Sequence, residues 1–136
     1  LSFDPAAAGW TAAPRSNFAN LIGPVWQRME GAERRLGFLA EERHFNPGGV
    51  VHGGMLMAFA DEFLGGVVFE AIGQRPIVTI QLNTHFIATV QRGDFVEGRG
   101  EVVRRTRTIV FVRGMLMVGD RIVAAVDGIW KVLEPR

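Results

Sequence analysis

The chain has 136 residues, 48% of them apolar, and a formal net charge of +1. That length suits one domain with a real core, and the near-neutral balance gives no hint of a nucleic-acid or membrane partner. The absence of cysteine excludes disulfides, thiolate metal sites and a cysteine nucleophile, and fits a reducing cytoplasm. His44, His52 and His85 are well spread without ligand-cluster spacing, so no metal site is expected.

Residues 1–15, rich in alanine and proline, are expected to form a flexible arm, and residues 16–136 a single domain. Ser16 is placed to cap a helix running to about Glu30. Its apolar positions Phe18, Leu21, Ile22, Val25, Trp26 and Met29 step by three and four, and Gly23-Pro24 can kink or split it. Arg34 to Phe45 predicts a strand, and Asn46-Pro47-Gly48-Gly49 a turn. From Gly53 or Gly54 to about Ile72 the chain predicts a long helix. Met55, Leu56, Met57 and Ala58 are helix formers, the run exceeds a usual strand, and Gly73 can stop it.

Strands and turns follow. Pro76 to Ile87 alternates, with Val78, Ile80, Leu82 and Phe86 on one face and Thr79, Gln81, Asn83 and His85 on the other. Phe95 to Arg105, Thr108 to Val118 and Arg121 to Leu133 complete four antiparallel strands, the last two joined by a Gly119-Asp120 hairpin turn. A helix apolar on most sides needs partners on most sides, and one curved antiparallel sheet wrapped around it supplies them. The fold class is therefore α+β. The apolar runs in the late strands imply a surface that a second protomer covers.

Within that long helix stand two neighbouring carboxylates, Asp61 and Glu62. Adjacent helical residues point about 100° apart, so the two cannot share one narrow face. Ala58, Phe59, Phe63, Leu64 and Gly65 surround them, so at least one is expected in an apolar setting, as a candidate base or nucleophile. At the helix start, Gly53 and Gly54 leave bare backbone. Their N–H groups lack intrahelical partners and carry the positive end of the dipole, a place to hold a developing oxyanion. Shaping a turn or allowing close packing explains the same glycines equally well.

The run N-P-G-G-V-V-H-G-G-M-L-M-A-F-A-D from Asn46 to Asp61 resembles the signature of hotdog-fold acyl-CoA thioesterases, the group containing phenylacetyl-CoA thioesterases. In that group an Asn lies six residues before a His-Gly-Gly and an Asp nine after the His. Asn46, His52-Gly53-Gly54 and Asp61 keep both gaps. The resemblance extends over roughly residues 34 to 133 and implies a long helix wrapped in an antiparallel sheet. It implies hydrolysis of an alkyl- or aryl-CoA thioester with no cofactor beyond the coenzyme A of the substrate. It further implies that Asp61 activates water or attacks, that the Gly53 N–H polarises the carbonyl, and that Asn46 assists. Thr79 stands where a serine orients water in some members. His52 and Gly54 are implied at the substrate-binding helix start, with His52 shaping it rather than reacting. Glu62, one residue out of register, is the structural member of the pair, at an edge or in an ion pair.

Gly53 and Asp61 lie eight residues apart, or about 12 Å along a helix axis. Reacting groups must approach to about 3 Å, so a second, antiparallel helix from another protomer is expected to complete each site. This predicts at least a homodimer and, with the resemblance, a homotetramer. Arg104, Arg105 and Arg107 are candidates for holding coenzyme A phosphates, because guanidinium pairs well with phosphate. Two competing functions keep their place: a hotdog hydratase or dehydratase acting on an acyl thioester, and a non-catalytic acyl-CoA-binding module.

Overall fold

The computed structural model describes residues 3–15 and 17–134. Among these residues seven strands and two α-helices follow in the order β1 (Thr11–Ala12), α1 (Asn17–Ile22), β2 (Trp26–Glu30), β3 (Glu33–Leu39), α2 (Gly53–Ala71), β4 (Ile77–Phe86), β5 (Phe95–Arg105), β6 (Ile109–Val118) and β7 (Arg121–Val132). The strands form one sheet in the order β1-β2-β3-β5-β6-β7-β4, every neighbouring pair antiparallel. The sheet curls around α2. Leu56, Phe59, Phe63, Leu64 and Val68 of the helix pack into a core with Phe38, Val96, Val110, Val112, Leu116, Val123 and Trp130 of the strands. This is the hotdog architecture, α+β. No helix among the described residues is long and apolar enough to cross a membrane, and no group of three or more metal-ligating residues forms among them.

The helix expected from Ser16 to Glu30 is a correction; Ser16 itself lies outside the described residues. Only Asn17–Ile22 is helical, and Trp26–Glu30 is strand β2, paired with β3 from Trp26↔Gly37 to Glu30↔Glu33. Pro24 has no N–H to continue a helix, and the Val25 carbonyl accepts the Ala13 N–H at 2.7 Å. The supposed apolar stripe does not face a core: Phe18, Leu21 and Met29 are exposed, whereas Val25 is buried. Strand pairing with β3 overrides the helical spacing. In the stretch read as an arm, Trp10 is buried, Phe3 stacks on Phe95, and β1 adds to β2.

The strand expected from Arg34 to Phe45 ends at Leu39, and Glu42–His44 forms a single 3-10 turn. His44 closes that turn. Its Nδ1 accepts the Glu41 N–H at 3.0 Å, its Nε2 lies 2.8 Å from the Ile22 carbonyl, and its ring meets Phe38 edge-on. The expected faces of the fourth strand also need correcting. A bulge between Thr79 and Gln81 breaks the register of β4 on β7, with Thr79 opposite Trp130 and Gln81 opposite Ile129. One extra residue, Ile80, moves the phase of the alternation. Val78 and Ile80 are therefore exposed, while Leu82 packs on the core.

His44 generates a pH prediction. Burial opposes its charged form and holds its pKa below the usual imidazole value, against a raising influence from the Ile22 carbonyl. A depressed folded pKa means that the neutral ring's contribution is complete above the unfolded pKa of about 6.5 and is lost as pH falls through the folded value. Urea unfolding midpoints of the wild type are expected to fall on going from neutral pH to pH 5, with a shallower decline in His44→Gln. Equal slopes in the two proteins would remove His44 from the acid response.

Candidate active site

Helix α2 begins where the sequence places bare glycines. His52 is its N-cap, and the His52 Nδ1 accepts the Gly54 N–H at 2.8 Å. A Cβ at Gly54 would lie 3.0 Å from that nitrogen, so glycine here serves the cap. The backbone N–H of His52 donates to the His44 carbonyl at 2.8 Å, which fixes the cap residue to the 3-10 turn. The Gly54 N–H is thus engaged within the chain. The Gly53 N–H makes no hydrogen bond among the described residues. The Phe86 ring packs over Gly53, 3.2 Å from where a Cβ would stand, so close packing also calls for this glycine.

Asn46 sits in the turn before the helix. Its Oδ1 accepts the Gly48 N–H at 2.9 Å and the Val50 N–H at 3.4 Å. With the oxygen held by backbone donors, the side-chain NH2 is left as a donor with no partner among the described residues. Asn46 borders an open depression with Phe45, Pro47, Gln91 and Arg92.

Two turns along α2, Asp61 points to the other site element. Its Oδ1 accepts the Thr79 hydroxyl at 2.7 Å, a charge-assisted bond tying the helix to strand β4. Both residues border a groove of about 910 Å³ between α2 and the sheet, whose apolar wall includes Leu36, Phe63, Phe69, Ile77 and Trp130. Asn46, His52, Gly53 and Gly54 do not border this groove. One chain therefore brings Asp61 and Thr79 together and keeps the helix-start donors apart from them.

The expected apolar burial of a carboxylate is not met within one chain: Asp61 is exposed and Glu62 half-buried. The sheet covers one side of α2 only. The side it leaves open carries exposed Met57, Asp61 and Phe69, at spacings of four and eight residues. Glu62 is in an ion pair with Arg15, Nε to Oε2 3.4 Å. Arg15 also borders the groove, with Arg34, whose Nη1 donates to Gln27. Sequence reasoning singled out neither arginine, because only tertiary folding brings residues 15 and 34 to the helix.

The arginines expected to meet phosphate are exposed at the far end of β5 and in the loop after it, and none borders the groove. Arg105 Nη1 donates to the Ala71 carbonyl at 2.9 Å, so it caps the negative end of α2. Arg104 and Arg107 form no ion pair among the described residues.

Residues 48–125 match the thioesterase superfamily. The Pseudomonas aeruginosa protein PA0474, named as a candidate esterase, is 32% identical over 118 residues, spanning 85% of this chain and 87% of its own length. Among solved structures, the conserved Pseudomonas aeruginosa protein PA5202 superposes with a TM-score of 0.80 at 26% identity, over 88% of this chain and 95% of that one. A phenylacetic acid degradation-related protein of Ralstonia eutropha, named as a candidate thioesterase, gives 0.77 at 28% identity, over 88% and 92%. The matched stretch contains the His52-Gly53-Gly54 helix start, Asp61 and Thr79, and the chain belongs to the thioesterase superfamily, a family of thioester hydrolases.

Proposed function

We propose that the protein hydrolyses acyl-CoA thioesters, alkyl or aryl, to the free acid and coenzyme A. The observation that carries the reading is the Asp61 carboxylate, held by Thr79 at 2.7 Å on the rim of an apolar groove. The acyl group lies along that groove and presents its thioester carbonyl to Asp61. In one route the carboxylate takes a proton from a water as that water attacks the carbonyl carbon, and passes it to the coenzyme A sulfur as the carbon–sulfur bond breaks; in the other the carboxylate itself attacks, the thiolate leaves, and water then opens the resulting anhydride, which frees the acid, restores Asp61 and supplies the thiol's proton. Thr79 spends its proton on Oδ1, which fixes the carboxylate and leaves Oδ2 for the water or the carbonyl carbon.

The Gly53 N–H polarises the carbonyl oxygen, and the Asn46 amide donates beside it. Because Gly53 and Asp61 sit about 12 Å apart on one helix, each site takes these donors from one chain and Asp61 from another. The active unit is then a homodimer at minimum, in a homotetramer on the family pattern. Two features support association. Strand β4 ends the sheet, so one of its edges lacks a strand partner among the described residues, and it carries exposed Val78, Ile80 and Phe86, with Ile87 following. Asp61 and Met57 lie on the side of α2 that the sheet leaves open. A second chain there would give Asp61 the apolar surroundings that one chain lacks. Of the three candidate arginines, Arg104 and Arg107 suit the coenzyme A phosphates better than Arg105, which is engaged at Ala71.

A hydratase pairs an imidazole with the carboxylate. His44 has both ring nitrogens engaged, the His52 Nδ1 caps α2, and His85 makes no bond to a carboxylate among the described residues. This disfavours the hydratase reading.

Asp61→Asn keeps the shape of the side chain but cannot act as base or nucleophile. Thiol release from an acyl-CoA panel is expected to drop to near background with the fold unchanged, while Glu62→Gln retains most activity. The reverse ranking would show that Glu62 is the reacting group; binding without thiol release by the wild type would make the protein an acyl-CoA-binding module. Asn46→Ala is expected to lower kcat by on the order of a hundredfold, because its donor acts on charge that grows in the transition state. A change confined to KM would place Asn46 in substrate positioning.

A further inference from the structure

We infer that Phe63 sets the depth of the groove and thereby selects the length of the acyl group. The inference rests on the acyl-thioesterase reading above and adds to it the residue that measures the substrate.

Phe63 stands two residues beyond Asp61, on the sheet-facing side of α2, and is 4% exposed. Its ring lies on three glycines: Gly98 and Gly100 of β5 and Gly114 of β6, the last two paired across the strands. A Cβ on Gly98 would overlap the ring, and one on Gly100 or Gly114 would come within 2.8 or 2.9 Å of its tip. Side chains fill the inward row on either side of these glycines, at Val96, Val102, Val112 and Leu116. The sheet thus has a local hollow, and the ring of Phe63 occupies it.

That hollow belongs to the groove that holds Asp61 and Thr79. Gly98, Gly100 and Phe63 all border it, and the facing turn of α2 contributes Gly65 and Gly66. Glycine stands on both walls; the side chains of Trp130 and Leu36 lie against Gly65 and Gly66, and a chain of methylenes passes beside these two between helix and sheet. The bulky side chain at the hollow is Phe63, so its ring ends the path. A smaller residue extends the groove onto the bare glycine floor. A Cβ at Gly98 has the opposite effect, because the groups in its way are atoms of the Phe63 ring, which it lifts off the strand.

The test compares kcat/KM across straight-chain acyl-CoA thioesters from acetyl to palmitoyl for the wild type, Phe63→Leu, Phe63→Ala and Gly98→Ala. Binding of the matching S-alkyl-CoA thioethers, which cannot be hydrolysed, is measured alongside, with circular dichroism to check folding. Both Phe63 variants are expected to shift the preferred chain upward, raising the long-to-short ratio by about tenfold or more, the scale of a methylene or two in an apolar pocket. Gly98→Ala is expected to shift it downward. If Phe63→Ala does not fold, the milder Phe63→Leu and the opposed Gly98→Ala carry the comparison. Folded variants with the wild-type length profile in both assays would overturn the inference and leave Phe63 as core packing. If the wild type cleaves no acyl-CoA but the thioether profiles shift as described, hydrolysis fails and the groove assignment stands; if the thioethers do not bind, the assignment fails with it.

Discussion

An α-helix rises about 1.5 Å per residue and does not fold back on itself, so the open N–H at Gly53 and the carboxylate at Asp61 stand about 12 Å apart on α2. A carbonyl cannot meet both within one chain. The proposed two-chain site follows from that separation. Asp61 lies on the side of α2 that the sheet leaves open, and the neighbouring strand β4 is the end of the sheet with apolar side chains exposed. A donor-bearing helix start and a carboxylate-bearing helix middle are complementary halves, and an antiparallel second helix would bring them together twice, once per chain.

Within one chain, local devices hold each half. His52 caps the helix and takes the Gly54 N–H, which leaves Gly53 as the open donor of the pair. Asn46 has its oxygen bound by the turn, which orients the NH2 for donation. The His44 ring joins the preceding turn to the Ile22 carbonyl, and the His44 backbone carbonyl accepts the His52 N–H, so one buried residue anchors the helix start to the fold. At the other half, the bulge in β4 matters most. It allows Thr79 to face Asp61 while Leu82, three residues on, still faces the core.

Much of the fold was legible in the residues. Helix α2 ends one residue before its expected Ile72, and β5, β6 and β7 match their expected spans to within a residue at each end. Glycine punctuation and long apolar runs are local signals, and here the tertiary structure agrees with them. The N-terminal third was legible only in part: helix over Asn17–Ile22 and a strand from Arg34 were expected, but strand β2 was not. Phe18, Leu21, Val25 and Met29 keep helical spacing by coincidence, and pairing of Trp26–Glu30 with β3 decides their conformation. The bulge at Ile80 was equally invisible, since an alternating sequence carries no mark of where one residue will be skipped. For the site, the helix start and the acidic pair stood out because glycines and charges interrupt an apolar run. The Arg15–Glu62 pair and the glycine bed under Phe63 did not, because each joins residues distant in sequence.

The central claim is that one catalytic site uses two chains, and subunit complementation tests it most directly. An Asp61→Asn chain is mixed with a Gly53→Pro chain, which lacks the helix-start N–H, after each is shown to fold and to exchange subunits. Neither homodimer should release thiol from acyl-CoA. The heterodimer should recover activity through one intact site, built from Asp61 of one chain and Gly53 of the other. Heterodimers that form and remain inactive, or an isolated wild-type monomer with full activity, would contradict the shared site.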